Sequence, residues 1–156
     1  MKAAYLDMIR MIERLHRQCL ELVKAEIERE GIRDLNNVQA LILFNIGEGE
    51  VTVGELTQRG YYLGSNVSYN VKKLVENGYL VQERSPHDRR STHVRVSDKG
   101  LAIYKHMDRL FEHHAEAMSE AGLSEEDLNG ASDILSRLLR YWSGPEHFSG
   151  RGYPGA

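Results

Sequence analysis

The stretch from residue 55 to residue 97 constrains the fold most, because its hydrophobic pattern changes from helical to alternating partway along: ELTQRGYYLGSNVSYNVKKLVENGYLVQERSPHDRRSTHVRVS. Thr52, followed three residues later by Glu55, forms a capping box that predicts a short helix ending near Gly60. A second helix is predicted from Ser65 to Asn77, because its apolar residues are three and four positions apart. Its inward stripe comprises Val67, Val71, Leu74 and Val75.

An alternating pattern begins after Gly78 and predicts two strands, from Leu80 to Arg84 and from Thr92 to Val96. The sequence SPHDRRS joins them and gives the β-hairpin a basic tip. Two short helices followed by such a hairpin are the layout of a winged helix-turn-helix.

Positive charge is concentrated in this part of an acidic chain. Residues 59 to 99 contain eight Lys and Arg against four Asp and Glu, a net charge of +4. The remaining residues contain 12 basic and 19 acidic side chains, a net charge of −7. A basic face on an acidic protein favours binding to a polyanion, and duplex DNA is the obvious candidate.

The outer face of the second helix has the side chains that DNA recognition requires. Short polar groups near its amino end suit base edges, and cations farther along suit phosphates. The candidate DNA-binding residues are Ser65, Asn66, Ser68, Tyr69, Lys72 and Lys73. The alternative interpretation is that they form only the solvated face of an amphipathic helix.

The turn between the strands provides two further candidate DNA-binding residues, Arg89 and Arg90. At a hairpin tip they could reach the adjacent minor groove, whose negative potential attracts arginine. Asp88 would repel phosphate unless it were already paired, so we expect it to brace one arginine while the other reaches DNA. The alternative is an ordinary surface cluster of salt bridges that contributes little stability.

Long helices flank the winged segment. The apolar residues of segment 5–27 follow a helical spacing, and a strongly apolar helix begins near residue 36. Ser97 begins another long helix, and Ser124 with Asp127 forms a capping box for the last one. The expected fold class is therefore mainly α with a small β-hairpin wing.

We expect a winged helix-turn-helix DNA-binding domain at residues 35–100, dimerisation helices at residues 1–31 and 101–142, and a flexible tail at residues 143–156. The first and last helices carry more apolar surface than the winged core could cover, so burial alone favours self-association. The alternative is a monomeric helical bundle.

The segment from Glu55 to Gly100 resembles the MarR family of bacterial winged helix-turn-helix transcription regulators. The resemblance rests on ELxxR, on a helix ending in VKKLVENGYL, on DRR in the wing and on the closing VSDKG. The order of the flanking helices extends it over almost the whole chain except the tail. The stretch GYYLGSNVSYN resembles an alphaproteobacterial branch that includes the LdtR-like regulators.

This resemblance implies a homodimer whose terminal helices interlock and whose two winged lobes bind a pseudo-palindromic operator in double-stranded DNA, often under the control of a small-molecule effector. It implies that the second winged helix reads the major groove, that Arg89 reaches the minor groove and that Arg90 braces Asp88. Tyr69 and the connector at residues 60–64 depart from the family's usual pattern, so the operator sequence cannot be carried over.

Ligands of this family tend to bind between the dimer helices and the winged lobe. Here that would involve His16, Leu20, Phe44, Tyr61 and Tyr62, the candidate effector pocket, although simple core or hinge packing accounts for the same residues.

The sequence does not favour metal, cofactor or redox chemistry. Cys19, the one cysteine, is expected to be buried on the apolar stripe of the first helix and has no resolving partner within the chain. The histidines His106, His113 and His114 lack the i, i+4 spacing of a helical chelate. We expect His114 in the core and the other two exposed.

A sequence-specific DNA-binding regulator fits this pattern best. The alternative is a winged-helix protein-interaction module without direct DNA binding, which should expose apolar groups where the second helix has serine, asparagine and lysine. An enzyme is not expected, because the sequence has no glycine-rich phosphate loop, nucleophile motif or convincing carboxylate pair. No apolar run approaches the roughly 20 residues that span a bilayer, so we expect a cytoplasmic protein with no membrane partner.

Overall fold

The computed structural model describes residues 1–59, 64–88 and 90–144, in two compact units, Met1–Leu110 and Phe111–Ala156. Its elements in chain order are α1 (Lys2–Arg29), α2 (Asn37–Ile46), β1 (Glu50–Thr52), α3 (Val53–Gln58), α4 (Gly64–Glu76), β2 (Leu80–Arg84), β3 (Thr92–Val96), α5 (Asp98–Glu120) and α6 (Glu125–Trp142). The expected mainly α fold with a small β wing is confirmed. Most of the predicted tail, from residue 145 onward, lies outside the described residues.

Local capping fixes the helix boundaries that the sequence predicts. The side-chain oxygens of Asn36, Thr52 and Ser124 each accept a hydrogen bond from the backbone N–H three residues on, and the side chain at that third position accepts one in return. The capping boxes expected at Thr52 and Ser124 are therefore confirmed. Gly31, with φ of +71°, lies just past the end of α1 in the left-handed region that glycine adopts freely.

The core of the first unit is centred on α2, which contacts α1, α4 and β3. Its largest fully buried side chains are Val23, Ile42, Leu43, Leu56, Val67, Leu74, Val94 and Met107. Burial of each such aliphatic side chain stabilises the fold by about 1.5–3 kcal/mol. This core holds α4, the helix predicted to bind DNA, against the rest of the unit.

The wing belongs to a three-stranded antiparallel sheet and not to the isolated two-stranded hairpin that the sequence predicts. Strands β2 and β3 pair over the predicted residues, with Leu80 opposite Val96. Strand β1 pairs with the other edge of β3, where Val51 lies opposite Val94, so the strand order is β1-β3-β2. The sequence prediction missed β1 because three residues are too few for an alternating pattern to show.

A group of polar contacts, the Asp34 latch (Asp34, Asn77, Tyr79 and Lys99), joins the α1–α2 connection to the end of α4 and the start of α5. The Asp34 carboxylate accepts hydrogen bonds from the Tyr79 hydroxyl at 2.5 Å and the Lys99 ammonium at 2.9 Å. Lys99 also donates to the Asn77 carbonyl, and its nitrogen lies 4.1 Å from the Tyr79 ring centroid. These hydrogen bonds lower the pKa of the Asp34 carboxyl, whereas burial and that carboxylate raise the pKa of the Tyr79 hydroxyl.

Helix α5 begins directly against the backbone of Tyr79 because position 100 is glycine. A β-carbon on Gly100 would lie 2.2 Å from the Tyr79 carbonyl oxygen and 2.7 Å from a methyl carbon of Val96. The Ser97 hydroxyl accepts a hydrogen bond from the Gly100 N–H at 3.1 Å and donates one to the Gly78 carbonyl at 2.6 Å. Ser97 therefore caps α5 as predicted, and the motif VSDKG is explained by this close approach.

The burial of three residues, Cys19, His106 and His114, differs from the expectation. Cys19 is exposed, because α1 is fully buried only toward its carboxyl end, where Val23 and Ile27 lie in the core. His106 is half-buried and not exposed, because its Nε2 lies 2.6 Å from a carboxylate oxygen of Glu26 on α1. His114 is also only half-buried, and His113 is exposed as expected.

Helices α1 and α6 each expose apolar side chains. On α1 these are Tyr5, Leu6, Met11 and Leu15. On α6 they are Leu128, Ile134, Leu135, Leu139 and Tyr141. Within residues 1–59, 64–88 and 90–144, no helix has both the length and the apolar character to cross a membrane.

Candidate nucleic-acid interface

Helix α4 carries all the predicted major-groove residues on its solvent side. Ser65, Asn66, Ser68, Tyr69 and Lys72 are exposed and Lys73 is half-buried. The opposite face is buried and comprises Val67, Asn70, Val71 and Leu74. The 3.6-residue period of the helix produces this separation. Tyr69 is 61% exposed, so its ring is available to a partner instead of filling the core.

A cleft of 590 Å³ lies between α4, the start of α3 and the wing. Ser68 and Lys72 of α4 line one side of it, and Arg90 and Ser91 of the wing line another. The structure therefore brings together residues predicted separately from the helix and from the turn. Two cations and two hydroxyl groups around one cleft suit the oxygens of a phosphodiester backbone.

The wing turn is held by its own side chains. The Asp88 carboxylate accepts a hydrogen bond from the backbone N–H of Arg90 at 2.9 Å, and the Ser85 hydroxyl accepts bonds from the N–H groups of His87 and Asp88. The brace expected between Asp88 and the Arg90 guanidinium is therefore a backbone contact. Arg89 lies outside the described residues.

The eight basic residues of segment 59–99 are not equally available to DNA. Four of them are engaged within the chain: Arg59 with the Asn45 carbonyl, Lys73 with Glu76, Arg95 with Glu83 and Lys99 with Asp34. The hydrogen bond that the Lys73 ammonium donates to the Glu76 carboxylate raises the pKa of Lys73. The ion pairs formed by the described residues do not include Lys72, Arg84 or Arg90. The sequence alone does not distinguish Lys72 from Lys73, whereas in the structure Lys73 forms an ion pair with Glu76 and Lys72 forms none with the described residues.

Two of the described residues of the candidate effector pocket, Phe44 and Leu20, have contacts within the chain. The Phe44 ring stacks on Tyr104 with centroids 5.6 Å apart, and the Leu20 carbonyl accepts a hydrogen bond from the side chain of Asn37. His16 is exposed. Because Tyr61 and Tyr62 lie outside the described residues, the pocket stays a prediction.

Sequence reasoning missed a cluster formed by Glu26, Glu30 and His106, whose nearest ligand atoms all lie within 4.8 Å of one another. Arg29 also donates a hydrogen bond to Glu26. Burial raises the pKa of the Glu26 carboxyl, but the hydrogen bonds from Arg29 and His106 outweigh this and leave it lowered. These donor types could hold a metal ion, yet the Glu26 carboxylate is already bonded to Arg29 and His106, so we interpret the cluster as a polar network between α1 and α5. The spacing of residues along the chain could not reveal this cluster, because His106 is 80 residues from Glu26.

Comparison with known proteins finds a DNA-binding domain in the same segment of the chain. A family model described as a winged helix DNA-binding domain matches residues 35–100. The exopolysaccharide II synthesis transcriptional activator ExpG of Rhizobium meliloti is 35% identical over 138 residues, which are 88% of this chain and 71% of that protein.

Two solved structures share the fold. FabT of Streptococcus pneumoniae in complex with DNA has a TM-score of 0.70 at 20% identity, over 88% of this chain and 96% of that one. A mutant MarR from E. coli complexed with operator DNA has a TM-score of 0.70 at 18% identity, over 87% of this chain and 96% of that one. Assignment to an alphaproteobacterial branch stays a prediction. The chain belongs to the MarR family of winged helix-turn-helix transcription regulators, and it is a DNA-binding regulator, not an enzyme.

Proposed function

We propose that the protein acts as a cytoplasmic homodimer that binds a pseudo-palindromic operator through α4 and the wing and changes its DNA affinity when a small-molecule effector binds. The observation that carries the DNA-binding part is the exposed polar face of α4 beside a cleft that also contains Arg90. Ser65, Asn66 and Ser68 are the candidates for base contacts. Lys72 and the wing arginines, Arg89 included, are the candidates for backbone and minor-groove contacts.

The exposed apolar faces of α1 and α6 support the homodimer. Leu15 is 60% exposed and Leu139 is 64% exposed, and such side chains lose contact with water when a second copy covers them. A twofold dimer places two copies of α4 about 34 Å apart, one turn of DNA, which suits two half-sites related by a palindrome. FabT and MarR have both been crystallised with DNA, which is consistent with this mode of action.

Fluorescence anisotropy with DNA from the protein's own upstream region tests the proposed interface, titrated against salt and nonspecific competitor. Lys72→Ala should weaken binding to all sequences and reduce the slope of log K against log salt by about 0.9 for each subunit bound. Lys105→Ala is the matched control, because it removes the same charge from an exposed position on α5. Equal effects of the two variants would contradict the α4 assignment. Weak, sequence-blind binding by the unmodified protein at every promoter fragment would instead favour a winged-helix protein-interaction module.

A further inference from the structure

Two buried amides connect α2 to the proposed DNA-reading helix. Gln39 on α2 is 7% exposed and Asn70 on α4 is 8% exposed, and the Gln39 Nε2 donates a hydrogen bond to the Asn70 Oδ1 at 3.2 Å. Both residues lie among aliphatic core positions, where an amide is costly unless it is hydrogen-bonded. Leucine would bury more apolar surface at either position, so hydrophobic stabilisation does not explain this pair.

Each amide is also bonded at its other end. The Gln39 Oε1 accepts from the backbone N–H of Asn36, which completes the capping box of α2. The Asn70 Nδ2 donates to the backbone carbonyl of Asn66 at 2.8 Å. Within the described residues no buried side-chain nitrogen or oxygen lacks a partner. A fully bonded network of this kind permits only one arrangement of its members.

The two ends of the network lie at functionally different places. Asn66 belongs to the first turn of α4, the turn with the candidate base contacts Ser65 and Ser68. Asn37, next to the cap of α2, donates to the Leu20 carbonyl of α1 at 3.1 Å. Two sets of hydrogen bonds, joined through the neighbouring residues Asn36 and Asn37, thus connect α1, a helix of the proposed dimer, with α2 and the first turns of α4.

We propose that Gln39 and Asn70 are positioning residues for operator recognition. Their hydrogen bond fixes the rotation of α4 about its own axis relative to α2, so that its short polar side chains meet base edges in one register. A hydrophobic contact between the same helices is non-directional and tolerates sliding, whereas an amide pair does not. The inference rests on the proposed function, and it concerns discrimination between sequences, not the strength of phosphate binding.

The experiment compares Asn70→Leu, Gln39→Leu and the double variant with the unmodified protein, in each case measuring affinity for the operator and for nonspecific DNA over a range of salt. The positioning role predicts that the ratio of operator affinity to nonspecific affinity falls by about tenfold or more. One well-placed base contact contributes discrimination of this size. Nonspecific affinity and its salt slope should stay unchanged, because Lys72 and the wing are untouched. Gln58→Leu, the same change at an exposed position on α3, should leave the ratio as it was.

The double variant separates positioning from folding. A single substitution leaves one amide buried without its partner and is expected to destabilise. The double variant removes that unpaired amide, and its remaining cost is the capping bond that the Asn36 N–H donates to Gln39. A double variant that is folded at the assay temperature by circular dichroism, yet discriminates poorly, would establish the positioning role. A double variant with the unmodified protein's ratio would overturn it, as would parallel losses of specific and nonspecific affinity in folded protein. If the unmodified protein itself fails to discriminate, the proposed function fails first and the inference fails with it.

Discussion

Replacing Gly100 with alanine tests the close approach of α5 to the wing. In a helix, glycine to alanine ordinarily stabilises by up to about 1 kcal/mol, through backbone entropy. At position 100 the new methyl would lie 2.2 Å from the Tyr79 carbonyl oxygen and 2.7 Å from a Val96 methyl carbon, distances that no real β-carbon tolerates. The backbone at Tyr79 would have to move, which strains its 3.0 Å hydrogen bond from the Ser97 N–H and the adjoining Asp34 latch. Overpacking of this kind costs about 1–3 kcal/mol.

We therefore expect Gly100→Ala to lower the free energy of unfolding by about 2 kcal/mol, and the melting temperature by about 4–8 °C for a chain of this size. Urea denaturation followed by circular dichroism measures the first quantity. Gly130→Ala is the matched control: it lies within α6, its added methyl meets nothing within 4 Å, and it should stabilise by about 0.5–1 kcal/mol. Equal stability of the two variants would refute the explanation given for the motif VSDKG.

Three further predictions concern acid stability, assembly and the wing. The pKa of Asp34 is lowered from its ordinary 3.8, so its ionised carboxylate stabilises the fold above pH 3.8, and this stability is lost as the pH falls through the lowered pKa. Asp34→Asn should therefore flatten the decrease in unfolding free energy at acid pH, measured by urea titration. An unchanged decrease would mean that the latch contributes nothing. Leu139→Glu places a charge on the exposed apolar face of α6 and should convert the proposed dimer to monomer in sedimentation velocity, with helical content unchanged. Ser136→Glu on the same helix is the control and should remain dimeric. Two dimeric variants would contradict the use of α6 as an interface. Arg89→Ala should weaken operator binding with little change in unfolding free energy, and unchanged affinity at matched salt would count against a minor-groove role for the wing.

Local patterns in the sequence predicted much of the secondary structure. The ends of β2 and β3 and the capping boxes at Thr52 and Ser124 depend on residues close together in the chain, so their signals are visible without tertiary information. Strand β1 was missed because it is too short and is specified mainly by pairing with β3, more than 40 residues later. The polar face of α4 followed from helical periodicity alone.

Long-range polar contacts were beyond sequence reasoning. The bond from Gln39 to Asn70 spans 31 residues and the pair of Glu26 with His106 spans 80, and no spacing rule connects such positions. The same limit applies to charge. Lys72 and Lys73 are neighbours in sequence, but only the structure shows Lys73 paired with Glu76 at 3.1 Å. Counting cations therefore overestimates the positive charge that faces DNA.

The most direct test of a homodimeric operator-binding regulator is the stoichiometry of its complex with DNA from its own upstream region, determined by sedimentation velocity in the presence of excess nonspecific competitor. A homodimeric regulator should form a competitor-resistant complex with two chains on one operator. A complex with a single chain, or one that dissolves when competitor is added, would contradict it.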